Sequence, residues 1–328
     1  MSKTQQDKLQ NQTMQHQSVQ QQQYDDEIDL RELFAALWAG KLTIFIATIM
    51  AALIAVSYAL YLPNIYKAEA LLSPVSSEGG GMGGLASKFG GLASLAGVSL
   101  GGGGAGDKTT LGIEVMQSRQ FFAQFSQEND VLVPLMAAKG WNSSNNTLVI
   151  DAEIYDSQTH TWVRKSKPPR QSQPSVQESH EAFKKLIAVS QDKETGFVTL
   201  SVEHFSPYVA KQWVDALVEA INVNIREQDV AKAERSISYL QQQIATTQLA
   251  ELQTGFFELI QSQTETIMLA NASPEYLFQT IDPAVVPELK AKPKRALIAV
   301  LGTMLGGMLG VLIVLVRHFI NKEEGAEA

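Results

Sequence analysis

Few residues in this chain are spaced for covalent chemistry. Its five histidines, His16, His160, His180, His204 and His318, lie far apart, and none stands in a metal-ligand spacing such as H-E-x-x-H. His204 falls between a strand pattern and a helix cap, where a structural role is expected. Gly79, Gly81 and Gly84 satisfy G-x-G-x-x-G, as do Gly101, Gly103 and Gly106. Both matches arise inside glycine runs, and neither sits between a strand and a long helix. Gly106-Asp107-Lys108-Thr109 is close to the end of a phosphate-binding loop, but Asp107 separates the glycine from the lysine. No spacing suggests a serine-histidine-acid arrangement or an acid-base pair. Neither a metal, a cofactor nor an enzymatic activity is expected. Glycine is instead spaced for packing. Gly302, Gly306 and Gly310 recur at four-residue steps, and Gly307 widens their face. Two successive G-x-x-x-G units let another helix approach closely. The residues leave the partner open: a second apolar helix of this chain, another subunit, or another protein.

Those glycines belong to one of two charge-free apolar runs, Leu42 to Leu62 and Ala296 to Val316. At about 1.5 Å per residue, roughly 20 apolar residues span the hydrocarbon core of a bilayer as a helix. Lys41 and Lys67 flank the first run, Arg295 and Arg317 the second, and Tyr58, Tyr61 and Tyr66 lie where an aromatic belt forms. The first run follows too long a polar stretch to be a cleaved signal peptide and reads as a signal-anchor. Two crossings put both termini on one side. Arg31, Lys41, Arg317 and Lys322 face Lys290, Lys292, Lys294 and Arg295 across them, so the positive-inside rule leaves the sidedness open.

The net charge of −8 and pI of about 5.2 argue against nucleic acid as a partner. Absence of cysteine excludes disulfides and thiolate metal sites. The expected organisation is an α+β membrane protein. Residues 1–24 form a glutamine-rich disordered tail, and 25–41 an amphipathic helix at the membrane surface, capped by Asp26 or Asp29. Residues 42–62 cross, 63–295 fold as one large domain, 296–316 cross back, and 317–328 form a short tail.

Within the large domain, Tyr66 to Val75 reads as a strand. Residues 78–106 are a Gly-rich stretch with room for a helical patch at Leu85–Leu95. Thr109 to Glu128 has helical spacing through Ile113, Met116, Phe121 and Phe125. Residues 139–177 read as polar surface with a short strand near Leu148–Ile154. Phe183 to Val189 and Gly196 to Glu203 read as two strands, or a helix end and a strand. Ser206-Pro207 then opens a helix reaching about Thr254, with a break at Gly255 and a second helix from Phe256 to Leu269. Pro283, Pro287 and Pro293 forbid a helix in the return leg, where Ile281, Val285 and Val286 could add a strand.

Taken in order, several segments resemble the Wzz-type chain-length determinants, a family of polysaccharide co-polymerases. These are DDEIDLRELFAALWAGK, LPNIYKAEALLSP, GFVTLSVEHFSP, AERSISYLQQQIA, IDPAVVPELKAKPKRALI and the glycine-rich last helix. GGLASKFGGLASLAG is also similar to related capsule and exopolysaccharide co-polymerases that carry a tyrosine kinase, for which the tail after the second crossing leaves no room. The resemblance implies a Gram-negative inner-membrane protein with cytoplasmic termini and a periplasmic domain. That domain would have an α/β base and a long projecting helix. It implies a ring-forming homo-oligomer that sets the modal length of a lipid-linked polysaccharide made by a separate polymerase, O-antigen or a similar surface polymer, with no catalytic residues carried over. The alternatives are an adaptor for capsule or exopolysaccharide export beside a separate kinase, a two-crossing sensor, and a periplasmic hydrolase.

Overall fold

The computed structural model describes residues 30–75, 105–247 and 249–326. The expectations for the tail 1–24, the caps at Asp26 and Asp29 and the Gly-rich stretch up to residue 104 lie outside the described residues. The chain divides into two compact units, Met1–Leu62 with Lys294–Ala328, and Pro63–Pro293. It mixes helices and strands, with two long apolar helices in the first unit and a 40-residue helix in the second.

The first unit contains α1 (Leu30–Ala39), α2 (Lys41–Tyr61) and α9 (Arg295–Ala326). The second contains β1 (Tyr66–Pro74), α3 (Ala105–Met116), α4 (Arg119–Glu128), α5 (Leu132–Met136), β2 (Ala138–Asn142), β3 (Thr147–Ile150), β4 (Tyr155–Asp156) and β5 (Thr161–Trp162). It continues with α6 (Val176–Phe183), β6 (Ile187–Gln191), β7 (Val198–His204), α7 (Pro207–Thr246), α8 (Ala250–Ala272) and β8 (Phe278–Asp282).

Four strands form one antiparallel sheet in the order β6-β7-β1-β8. Side chains alternate between faces along a strand, so the register decides what is buried. It pairs Ala68 with Val202, Ala70 with Leu200 and Leu72 with Val198. All six are buried on one face, and α7 covers them with Ala210, Trp213, Val214, Leu217, Ile221 and Ile225. The turn between β6 and β7 needs Gly196, whose φ is +76°, while the Asp192 carboxylate accepts from the Glu194 and Thr195 amides. Beside the sheet, Phe122 and Phe125 meet Phe183 at ring-centroid distances of 4.8 and 5.8 Å, and Phe183 meets Trp213 at 6.3 Å.

Several boundaries differ from the sequence reading. The helical pattern of Thr109–Glu128 is two helices, because Ser118 adopts an extended conformation and caps α4 through Phe121 N at 3.2 Å. The polar stretch 139–177 carries two small hairpins and runs into the start of α6, and its predicted strand ends at Ile150, where Asp151 turns the chain. Of the two readings of Phe183 to Val189, the structure takes the helix end, with Phe183 closing α6 before β6 begins at Ile187. The long helix stops at Thr246, and Gly255 lies inside α8. Thr246 and Thr247 bond back to the Gln243 carbonyl, Gln253 Nε2 donates to the Thr247 carbonyl at 2.7 Å, and Thr247 is extended at ψ 127°. The helix is left where Thr247 turns extended, whereas a lone glycine inside a helix costs only about 1 kcal/mol. Of Ile281, Val285 and Val286, only Ile281 enters the sheet.

Two buried polar residues tie these elements together. Asn222 Oδ1 accepts from the Leu277 and Phe278 amides at 2.7 and 2.8 Å, and its Nδ2 donates to the Phe278 and Val218 carbonyls at 3.0 and 3.1 Å. One side chain therefore fastens β8 to α7. His204 Nδ1 accepts from the Ser206 amide at 3.0 Å, so Nε2 carries the proton that it donates to the Pro134 carbonyl at 3.2 Å. Ser206 in turn caps α7.

Asn222→Ala leaves two buried amides unpaired and is expected to cost about 2–4 kcal/mol, since each buried unsatisfied group costs about 1–3. A chemical-denaturation midpoint matching the unchanged protein would refute that clamp. Burial pushes the His204 pKa below its ordinary 6.5, against the pull of the Pro134 carbonyl. The unfolded chain then binds the proton first, so stability is full above about pH 6.5 and declines as pH falls toward the folded value. His204→Gln is expected to flatten that decline in melting temperature, and equal slopes for both proteins would assign it elsewhere.

Candidate functional site: the apolar helix pair

The glycines singled out in the sequence lie on α9 against α2. Both helices are long and apolar enough to cross a membrane. A Cβ built on Gly302 would come within 2.3 Å of Ala55 Cβ, and one on Gly306 within 2.3 Å of Ala51 Cβ. One on Gly310 would lie 3.0 Å from Ile44 Cα and 3.2 Å from Ala47 Cβ. Gly307 is different: its Cβ would sit at an ordinary 3.6 Å from Thr48 Oγ1. Three of the four glycines therefore form the close contact, and the partner seated on them is the first apolar helix of the same chain.

The sequence reading missed the other half of this contact. Ala47, Ala51, Ala55 and Ala59 also recur at four-residue steps, which places them on one face of α2. Ala59 is buried, and its carbonyl, in the last turn of α2, accepts from Arg295 Nε at 3.0 Å. A cation there complements the helix C-terminus. At the opposite end Val314 is buried over Gly40, where a Cβ would approach Val314 Cγ1 to 2.4 Å. A search for four-residue repeats of any small residue would have found the alanines.

The remaining faces suit lipid. Met304, Leu305, Met308 and Leu312 are exposed along α9, as are Phe45, Leu53 and Ile54 along α2. The Thr48 and Thr303 hydroxyls donate to the Ile44 and Ala299 carbonyls, each at 2.7 Å, which satisfies them within their own helices. Phe34 and Trp38, both exposed, stack at 6.5 Å on α1, with Lys41 Nζ 5.1 Å above the Trp38 ring. Tyr58 and Tyr61 are exposed near the far end of α2. Aromatic and cationic groups at both ends match the two interfaces of a bilayer.

Titratable groups in the second unit are engaged structurally. Arg164 holds Glu178 through both carboxylate oxygens, and that pairing keeps the Glu178 carboxyl below its ordinary range and raises the Arg164 guanidinium. Asp229 accepts from Tyr276 at 2.8 Å and Lys108 at 3.0 Å; burial, then this carboxylate, pushes the Tyr276 phenol well above its ordinary value. Among the described residues, no group of three His, Asp or Glu side chains could hold a metal.

Comparison with known proteins gives two family matches. Residues 26–129 match the family model for Wzz, chain length determinant protein. Residues 241–319 match that for GNVR, the G-rich domain on putative tyrosine kinase. None of the curated proteins compared with the chain matches it. Among solved structures, a full-length bacterial polysaccharide co-polymerase aligns at 14% identity and a TM-score of 0.36, covering 90% of this chain and 99% of its own. A fragment of WzzB, a polysaccharide co-polymerase from Salmonella Typhimurium, aligns at 11% identity and 0.28, covering 70% of this chain and 100% of its own.

Gly306→Leu is expected to cost about 1–3 kcal/mol by overpacking the helix contact, whereas Gly307→Ala is expected to stay within about 0.5. Thermal melting and oligomer size in mild detergent test this. Equal behaviour of the two variants would remove Gly306 from the contact.

Proposed function

We propose that this chain, which carries the Wzz chain length determinant domain, is a non-enzymatic inner-membrane regulator of the modal length of a lipid-linked, O-antigen-like surface polysaccharide. The match of residues 26–129 to that family model carries the reading. The chain works as a homo-oligomeric scaffold beside a separate integral-membrane polymerase. Residues 42–62 and 296–316 cross the membrane, residues 63–295 form the periplasmic domain, and both termini are cytoplasmic. Small-residue packing of α2 on α9 gives each subunit a defined two-helix anchor. Subunit geometry, rather than bond-making, would bias how far the polymer grows before release.

A second reading has its own observation. The GNVR match over residues 241–319 favours an adaptor for capsule or exopolysaccharide polymerisation and export beside a separate tyrosine kinase. Deleting the gene separates the two. Length regulation predicts a changed banding pattern of extracted lipopolysaccharide with unchanged sugar composition. The adaptor reading predicts normal lipopolysaccharide and loss of secreted polymer. An unchanged length distribution would overturn the first reading.

A further inference from the structure

The return leg from Pro283 to Pro293 displays apolar side chains that no described residue covers. Ala284 is buried in the core and fixes one end of the leg. At the other end Ile65 N donates to the Lys292 carbonyl at 3.0 Å, the Ala291 amide donates to the Ile65 carbonyl at 2.8 Å, and Lys292 Nζ reaches Glu203 at 2.6 Å. Held between these points, Val285 is 70% exposed and Leu289 85%. Pro283, Pro287 and Pro293 prevent the leg from coiling into a helix that could turn these side chains inward. Two large apolar side chains are thus held in the open on a segment fixed at both ends.

Chain connectivity and charge indicate what covers it. Ile65 follows Leu62 by three residues, and Lys292 precedes Arg295, the start of the second apolar helix, by three. Three extended residues reach at most about 10 Å. Between residues 288 and 294, Lys290, Lys292 and Lys294 stand with one acid, Glu288, and of the three Lys292 is paired with Glu203. Exposed apolar side chains beside lysines suit the boundary between anionic headgroups and acyl chains. We propose that this leg docks on the lipid headgroup layer, with Val285 and Leu289 in the apolar boundary and Lys290 against anionic headgroups.

The inference rests on the reading that α2 and α9 cross a membrane, and one experiment tests both. The chain has no cysteine, so single cysteines can carry an environment-sensitive fluorophore without background. The full-length protein is reconstituted into phospholipid vesicles with a nitroxide at the headgroup or deep in the acyl chain. Labels are placed at Leu289→Cys, at Met308→Cys in α9, and at Gln261→Cys on the exposed face of α8. The headgroup nitroxide is expected to quench the Leu289 label several-fold more than the Gln261 label. The contrast is expected to be larger in anionic than in zwitterionic vesicles and smaller with Lys290→Glu. If Leu289 behaves like Gln261 while the deep nitroxide quenches Met308, the docking is wrong and the crossing stands. If Met308 is not quenched, both fail. Disulfide dimers of unlabelled Leu289→Cys would assign the surface to a second copy and overturn the proposal.

Discussion

The second unit depends on the two-sided pairing of β1. That strand begins five residues after the first apolar helix ends, and it is hydrogen-bonded along both edges, to β7 on one and to β8 on the other. Neither neighbour is close in sequence. β7 lies more than 120 residues downstream and β8 more than 200, so the sheet closes only after nearly the whole domain has been made. Such non-local pairing carries a large loop-closure cost, which must be offset by burial and by fixed polar contacts. The buried faces of Ala68, Ala70 and Leu72 supply the first. Their small size at two of three positions also leaves room for α7 to lie close over the strand.

Asn222 and His204 supply the second. Each converts a meeting of distant segments into specific hydrogen bonds: Asn222 joins α7 to the strand that brings the chain back, and His204 joins the end of β7 to the cap of α7 and to Pro134. Buried polar groups are costly unless satisfied, and both are satisfied fully enough to favour one arrangement over nearby alternatives. The His204 geometry also explains why burial and not metal chemistry dominates its behaviour. Its ring nitrogens are both occupied by backbone groups, one as acceptor and one as donor.

What the sequence revealed follows from the range of the forces involved. The apolar helices, β1, β7 and the start of α7 were legible because each is specified locally, by length without charge, by alternation, or by Ser206-Pro207. The end of α7 was misplaced because the break was set at Gly255, which a helix tolerates at a cost of about 1 kcal/mol, while the chain turns extended at Thr247. Of the hairpins between Ala138 and Trp162 only the strand near Leu148 was legible, because the others are two to five residues long and lie in a polar stretch. Asn222 could not be identified at all. Its partners are 55 and 56 residues away, and nothing in the local pattern distinguishes it from a solvent-facing asparagine.

The glycine face was legible and its partner was not, for a reason particular to apolar solvent. In lipid, burial of apolar surface does not distinguish one helix contact from another, so selectivity comes from how closely two backbones can approach. Gly302, Gly306 and Gly310 show that α9 offers close approach. Only the matching repeat of Ala47, Ala51 and Ala55, read in the opposite direction along α2, shows which helix accepts it. With both stripes engaged on each other, the small-residue face of α9 is occupied within the chain. Among the described residues of α2 and α9, the outward faces are those where Met304, Leu305, Met308 and Leu312 on α9 and Leu53 and Ile54 on α2 are exposed. These are large, flexible side chains that allow less backbone approach, so they give weaker selectivity in lipid.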